Sequence, residues 1–190
     1  MRNVARIIPI IFLTILSGCL KEYSYERRPV TVDTTGNPNP PVVSYDFPAC
    51  SVCNTITNTE LSTWNFKFEN TKVCGKVDTA IVIADRTAFT LFGPSSCSND
   101  TGMVITVYLQ NDTLNRNIPY MDLNKISFYF YDRVTPSYIC MSQAYTPFSG
   151  SLQNYDHQTR IATGTFSGFA LRSDGHWANI NSGKFKVKLL

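Results

Sequence analysis

The chain has 190 residues, 17 basic and 14 acidic side chains, a formal net charge of +3 and only 16% charged residues. So even a balance leaves no electrostatic footprint for nucleic acid, and no nucleic-acid partner is expected. With 43% hydrophobic and 13% aromatic residues, a sizeable core is available and disorder of the whole chain is excluded.

The N-terminus reads as an address. Arg2 and Arg6 precede an apolar run from Ile7 to Leu16, the charged n-region and apolar h-region of a secretory signal. The run is shorter than the roughly 20 apolar residues that a spanning helix needs. It ends in Leu16-Ser17-Gly18-Cys19, which resembles the lipobox of bacterial lipoproteins. The resemblance implies removal of residues 1–18 and acylation of Cys19. One acyl chain binds a membrane marginally and two or more hold it stably. The expected location is therefore the cell envelope, as an outer-membrane lipoprotein whose membrane contact is its lipid. Whether it faces the surface or the periplasm stays open.

Residues 19–45 read as the lipidated cysteine and a tether. Arg27-Arg28-Pro29 and Asn37-Pro38-Asn39-Pro40-Pro41 break regular structure and show no apolar periodicity. The β-domain is expected over residues 46–190.

Five cysteines follow Cys19: Cys50, Cys53, Cys74, Cys97 and Cys140. Export permits disulfides, and an odd count leaves one thiol over. Cys50-Ser51-Val52-Cys53 has the spacing of a redox dithiol, half a zinc site or a small disulfide loop. A thioredoxin-like site belongs beside a βαβ pattern, and a zinc site wants a second C-x-x-C or a close histidine pair. The chain has neither, since His157 and His176 are far apart. Structural disulfides are the expectation, with no metal site and no cofactor.

The rest of the chain alternates at period two. Trp64, Phe66 and Phe68 alternate with Asn65, Lys67 and Glu69, a half-buried strand. Val73–Val77 returns as its partner, and Ala80–Ala84 is a strand or a helical turn. Phe89–Phe92 and Ile105, Val107, Leu109 continue the pattern, and 111–117 is loop. In Ile126–Tyr131 both faces carry aromatics. Tyr138–Tyr145, Ser151–Tyr155, Arg160–Thr163, Thr165–Leu171, Trp177–Ile180 and Phe185–Leu189 complete the strands. No amphipathic helix of ten residues is visible. Many short strands between turn signals imply an all-β single domain, an antiparallel β-sandwich or a partly open β-barrel. Lys184, Lys186 and Lys188 suit a solvated sheet face or a protected edge.

Thr163-Gly164-Thr165-Phe166-Ser167-Gly168-Phe169-Ala170, followed by Ile180-Asn181-Ser182-Gly183-Lys184-Phe185-Lys186-Val187, resembles the ending of a Bacteroidetes lipoprotein family of unknown function. Its signature is a GTFxFxA strand followed by an ITxGxFxV strand, and Trp64-Asn65-Phe66-Lys67 is similar to its opening. The resemblance implies an exported β-domain and carries no site residues. In that setting Asp33-Thr34-Thr35 also resembles an O-glycosylation sequon, with Thr34 as acceptor.

No catalytic residue is assigned. His157, His176, Asp156 and Asp174 lie in predicted hairpin loops without a nucleophile elbow. Three functions are weighed. A non-catalytic binding module for a glycan or a protein would use exposed rings among Tyr129, Tyr131, Tyr145, Tyr155 and Trp177. A structural or assembly lipoprotein would contact outer-membrane proteins through sheet edges. A hydrolase would need a cleft with convergent polar and titratable groups. The first is the expectation.

Overall fold

The computed structural model describes residues 47, 49–55, 60–146 and 148–190, all within one compact unit, Val43–Leu190. Cys19, Thr34 and the tether lie outside the described residues. A single helical turn, α1 (Val52–Thr55), precedes the strands β1 (Thr63–Phe68), β2 (Thr71–Lys76), β3 (Thr79–Val82), β4 (Ala88–Pro94) and β5 (Thr101–Tyr108). There follow β6 (Met121–Leu123), β7 (Ile126–Asp132), β8 (Cys140–Ser142), β9 (Phe148–Asp156), β10 (Ile161–Arg172) and β11 (Trp177–Lys188).

These strands make one antiparallel sheet curled into a half-barrel, the partly open of the two expected architectures. Its order is β2-β1-β11-β10-β8-β7-β5-β4-β3, and β9 pairs with the rest of β10 and carries β6. At one rim β2 meets the segment that follows β4. Gly75 bridges Ser95, and the Ser96 amide donates to the Cys74 carbonyl at 2.9 Å.

Alternation decides which face fills the interior. Ile126, Phe128 and Phe130 of β7 point inward and are buried, and Tyr129 and Tyr131 point outward. Phe66 packs edge-on to Phe128 and Phe130 at 5.4 and 5.9 Å. The Trp64 indole reaches the Lys76 carbonyl at 3.1 Å, so a fully buried donor is satisfied. Each such ring contributes about 1.5–3 kcal/mol by leaving water.

Three expectations change, and one open alternative is decided. Arg160–Thr163 and Thr165–Leu171 are one strand, β10, and Trp177–Ile180 and Phe185–Leu189 are one strand, β11. What resembled a loop at Asn181-Ser182 is a bulge. Gly168 pairs with Ile180 and Phe166 with Gly183, so β11 carries one extra residue there, and Ser182 takes it up at φ 54°. The strand at Tyr138–Tyr145 shrinks to Cys140–Ser142, because Pro136–Tyr138 forms a 3-10 turn and residues 143–146 turn away. Asn65 is buried rather than outward, since β1 is covered on both faces at that level. Finally, β11 lies between β1 and β10, so its lysines decorate a solvated face in mid-sheet and protect no edge.

The terminal hairpin explains its own motif. Gly164 faces Phe185 and Phe166 faces Gly183 across β10 and β11. A Cβ at Gly164 would lie 2.4 Å from the Phe185 ring, and one at Gly183 would lie 2.5 Å from the Phe166 ring. Each glycine leaves the space that the opposite phenylalanine fills.

Candidate binding surface

The five aromatic residues singled out from the sequence separate into different environments. Tyr155 is 0% exposed and is withdrawn as a ligand contact. A register shift in β9, where Gln153 is the extra residue opposite β10, turns Tyr155 inward. Its hydroxyl donates to the Leu114 carbonyl at 3.4 Å. The other four lie on the exterior: Tyr129 and Tyr131 are half-buried, Tyr145 is 73% exposed and Trp177 is 44% exposed.

Strand register joins these rings into a surface. Trp177 stands opposite Leu171, Leu171 opposite Met141, Met141 opposite Tyr129, and Tyr129 opposite Val104. This apolar row crosses five strands, about 19 Å at the usual spacing between neighbours. Tyr145 leans edge-on to Trp177, with ring centroids 6.2 Å apart. Phe169, 49% exposed, sits one pleat away on the same face as Trp177 and was not singled out from the sequence. Its outward direction follows from its position beside the buried Ala170. Exposed apolar residues joined in this way mark interaction sites more often than scattered ones do.

A polar cleft of about 610 Å³ opens beside the row. Tyr145, Tyr108, Asn124, Lys125, Ser127 and Gln143 line part of it. The Lys125 ammonium lies 4.9 Å from the centre of the Tyr108 ring, and the Asn124 amide donates to Gln110 at 3.3 Å. The turn that carries Tyr145 is closed by the Thr146 amide and hydroxyl, which both donate to the Gln143 carbonyl at 3.2 Å. Rings, amides and one cation thus border a single concavity. Among the described residues that line it there is no carboxylate and no histidine.

The cysteines resolve into Cys50–Cys97 and Cys53–Cys74, with Cα separations of 6.0 and 5.4 Å. Cys50 crosses to the bend after β4 and Cys53 to β2, so the motif is not a closed loop of its own. Connectivity was not readable because it depends on the β2–β4 closure. Cys140 is the odd thiol, buried under the sheet, and burial pushes its pKa up to about 12 despite the opposing pull of Arg172. The Phe47 ring stacks on Phe68 at 3.7 Å, and the Arg172 guanidinium lies 5.7 Å from the centre of the Phe68 ring. Beside this stapled rim is a cleft of about 450 Å³ lined by Cys50, Lys72, Val73, Phe130 and Tyr138 among others.

The histidines have structural partners. His157 Nδ1 donates to the Leu114 carbonyl at 3.1 Å, where the Arg86 guanidinium also donates at 2.8 Å. His176 lies 3.3 Å from Asp174, whose carboxylate pairs with Arg172 at 2.7 Å. Ser173 beside them donates to the Pro136 carbonyl.

Among the described residues no helix is long and apolar enough to cross a membrane. No protein-family model, no curated protein and no solved structure matches the chain.

Proposed function

We propose that this protein is a lipid-anchored cell-envelope binding module, non-catalytic, whose ligand is a saccharide chain. The observation that carries the proposal is the apolar row ending at Trp177 and Tyr145, set against a polar cleft. Sugar rings present apolar C–H faces and equatorial hydroxyls together. Flat aromatic rings match the faces, and amides such as Asn124 and Gln143 match the hydroxyls. The signal segment, the Cys19 lipobox and the Bacteroidetes-type hairpin signature support the envelope location.

The test is titration of the full chain in mild detergent with soluble polysaccharides of neutral and acidic type, followed by calorimetry. Saturable binding that Tyr145→Ala and Trp177→Ala each weaken about tenfold supports the proposal. Binding that ignores both substitutions, or no binding to either polysaccharide type, removes it.

A second reading has its own observation. β3 ends the sheet, and Ile81 on it and Ile83 just after it are exposed. An edge strand with exposed isoleucines can accept a strand from another protein. An assembly lipoprotein would co-purify with an outer-membrane protein and lose it on Ile81→Lys.

A further inference from the structure

We propose that Cys50, Cys53, Cys74 and Cys97 together form, in their thiol state, a site for one thiophilic divalent cation, zinc. The sequence spacing lacked the second half of such a site. The fold supplies it by bringing Cys74 from β2 and Cys97 from the segment after β4 against the C-x-x-C turn.

The sulfurs of Cys50, Cys53 and Cys97 lie within 4.8 Å of one another, and Cys74, outside that trio, is bonded to Cys53 and would have to swing towards the other two once released. A tetrahedral zinc with bonds of about 2.3 Å places its sulfurs about 3.8 Å apart. Cys53 and Cys97, which belong to different disulfides, already have sulfurs 3.6 Å apart. The turn is built as a knuckle. The Cys53 amide donates to the Cys50 carbonyl and the Asn54 amide to the Ser51 carbonyl, both at 3.1 Å. The backbone behind Cys74 and Cys97 is also held, by Ser96 on the Cys74 carbonyl and by the Cys97 amide on the Ser95 hydroxyl. Cys53 and Cys74 are buried, Cys50 is half-buried and Cys97 is exposed, which leaves one side open for entry.

The two bonding states exclude each other. A dithiol reductant gives each disulfide two electrons and two protons and becomes a disulfide itself, leaving four thiols. Zinc then displaces four protons and leaves four thiolates around it, a centre of net charge −2. Lys72 lines the adjoining cleft. The same four side chains therefore hold α1 to the sheet either by covalent bonds or by a metal.

The experiment uses the full chain, reduced by an excess dithiol that is then removed without air. Zinc is titrated against a chromophoric chelator, and cobalt(II) replaces it in a parallel sample to report coordination by its visible spectrum. Near-ultraviolet circular dichroism follows the fold. The expected result is one equivalent of zinc, a four-sulfur tetrahedral cobalt spectrum and a native near-ultraviolet signal. Cys97→Ser should weaken zinc at least tenfold, and Cys19→Ser and Cys140→Ser should leave it unchanged. Because Cys97→Ser can disturb folding, the cobalt spectrum of the unsubstituted chain decides independently. No binding at micromolar zinc, a spectrum with fewer than four sulfurs, or binding without the native signal would overturn the proposal.

Discussion

The stapled rim and the Tyr145–Trp177 surface are both aromatic, yet they are held in opposite ways. At the rim, Phe47, Phe68 and Tyr138 sit among two disulfides, the Arg172 guanidinium and the Arg172–Asp174 pair at 2.7 Å. Nearly every group there has several partners, and Phe68 is 1% exposed. On the outer surface Tyr145 leans on the Trp177 ring, borders the cleft and is 73% exposed. Aromatic content alone separates neither region from the other. The number of independent contacts does, and it divides residues that maintain the fold from residues left available to a ligand.

The contrast breaks first at Phe68. Phe68→Ala should lower stability by about 3–5 kcal/mol, the range for truncating a large core aromatic, as read by urea denaturation. A cost below about 1 kcal/mol would mean that the rim is no part of the core. Next comes the Cys53→Ser/Cys74→Ser double variant, which opens a bridge of sequence separation 21. Chain entropy puts the loss at about 3 kcal/mol, and thermal melting under non-reducing conditions measures it. On the other side, Tyr145→Ala should change stability by less than about 0.5 kcal/mol while costing about tenfold in saccharide affinity. A large stability loss there would erase the distinction between the two regions.

The smallest effect is electrostatic and touches neither region. The Thr159 amide, followed by that of Gln158, donates to Asp156 and holds its carboxyl below the ordinary 3.8. A folded pKa below the unfolded one adds stability above pH about 3.8 that fades as pH falls further. Melting midpoints compared at pH 5 and pH 3 should fall slightly more for the native chain than for Asp156→Asn.

Where one face of a strand meets the core and the other meets water, alternation was legible. Ile126-Phe128-Phe130 follows that rule, and Trp64-Phe66-Phe68 faces the core as its spacing implies although Asn65 between them is buried too. It failed wherever the period slips. The bulge at Asn181-Ser182 resembled a turn because serine and asparagine favour turns. The extra residue at Gln153 reversed the direction of Tyr155. β6 is three residues long, too short for any period to register. The candidate surface was half legible. Tyr145 and Trp177 could be named, but their alignment with Leu171, Met141 and Tyr129 depends on pairing between strands distant in the chain. The cysteine cluster was hidden for the same reason.

The reciprocal arrangement of Gly164 with Phe185 and Phe166 with Gly183 also works as a key against slippage. Sliding β10 past β11 by two residues in one direction would set Phe166 against Phe185, two rings competing for one space. In the other direction Gly164 would face Gly183, leaving a hole between two bare backbones. Either error keeps every side chain on its proper face, so hydrophobic patterning alone would not reject it. The two glycines do. The β10–β11 hairpin therefore carries its own proofreading, which matters most where two strands of twelve residues each must find one register.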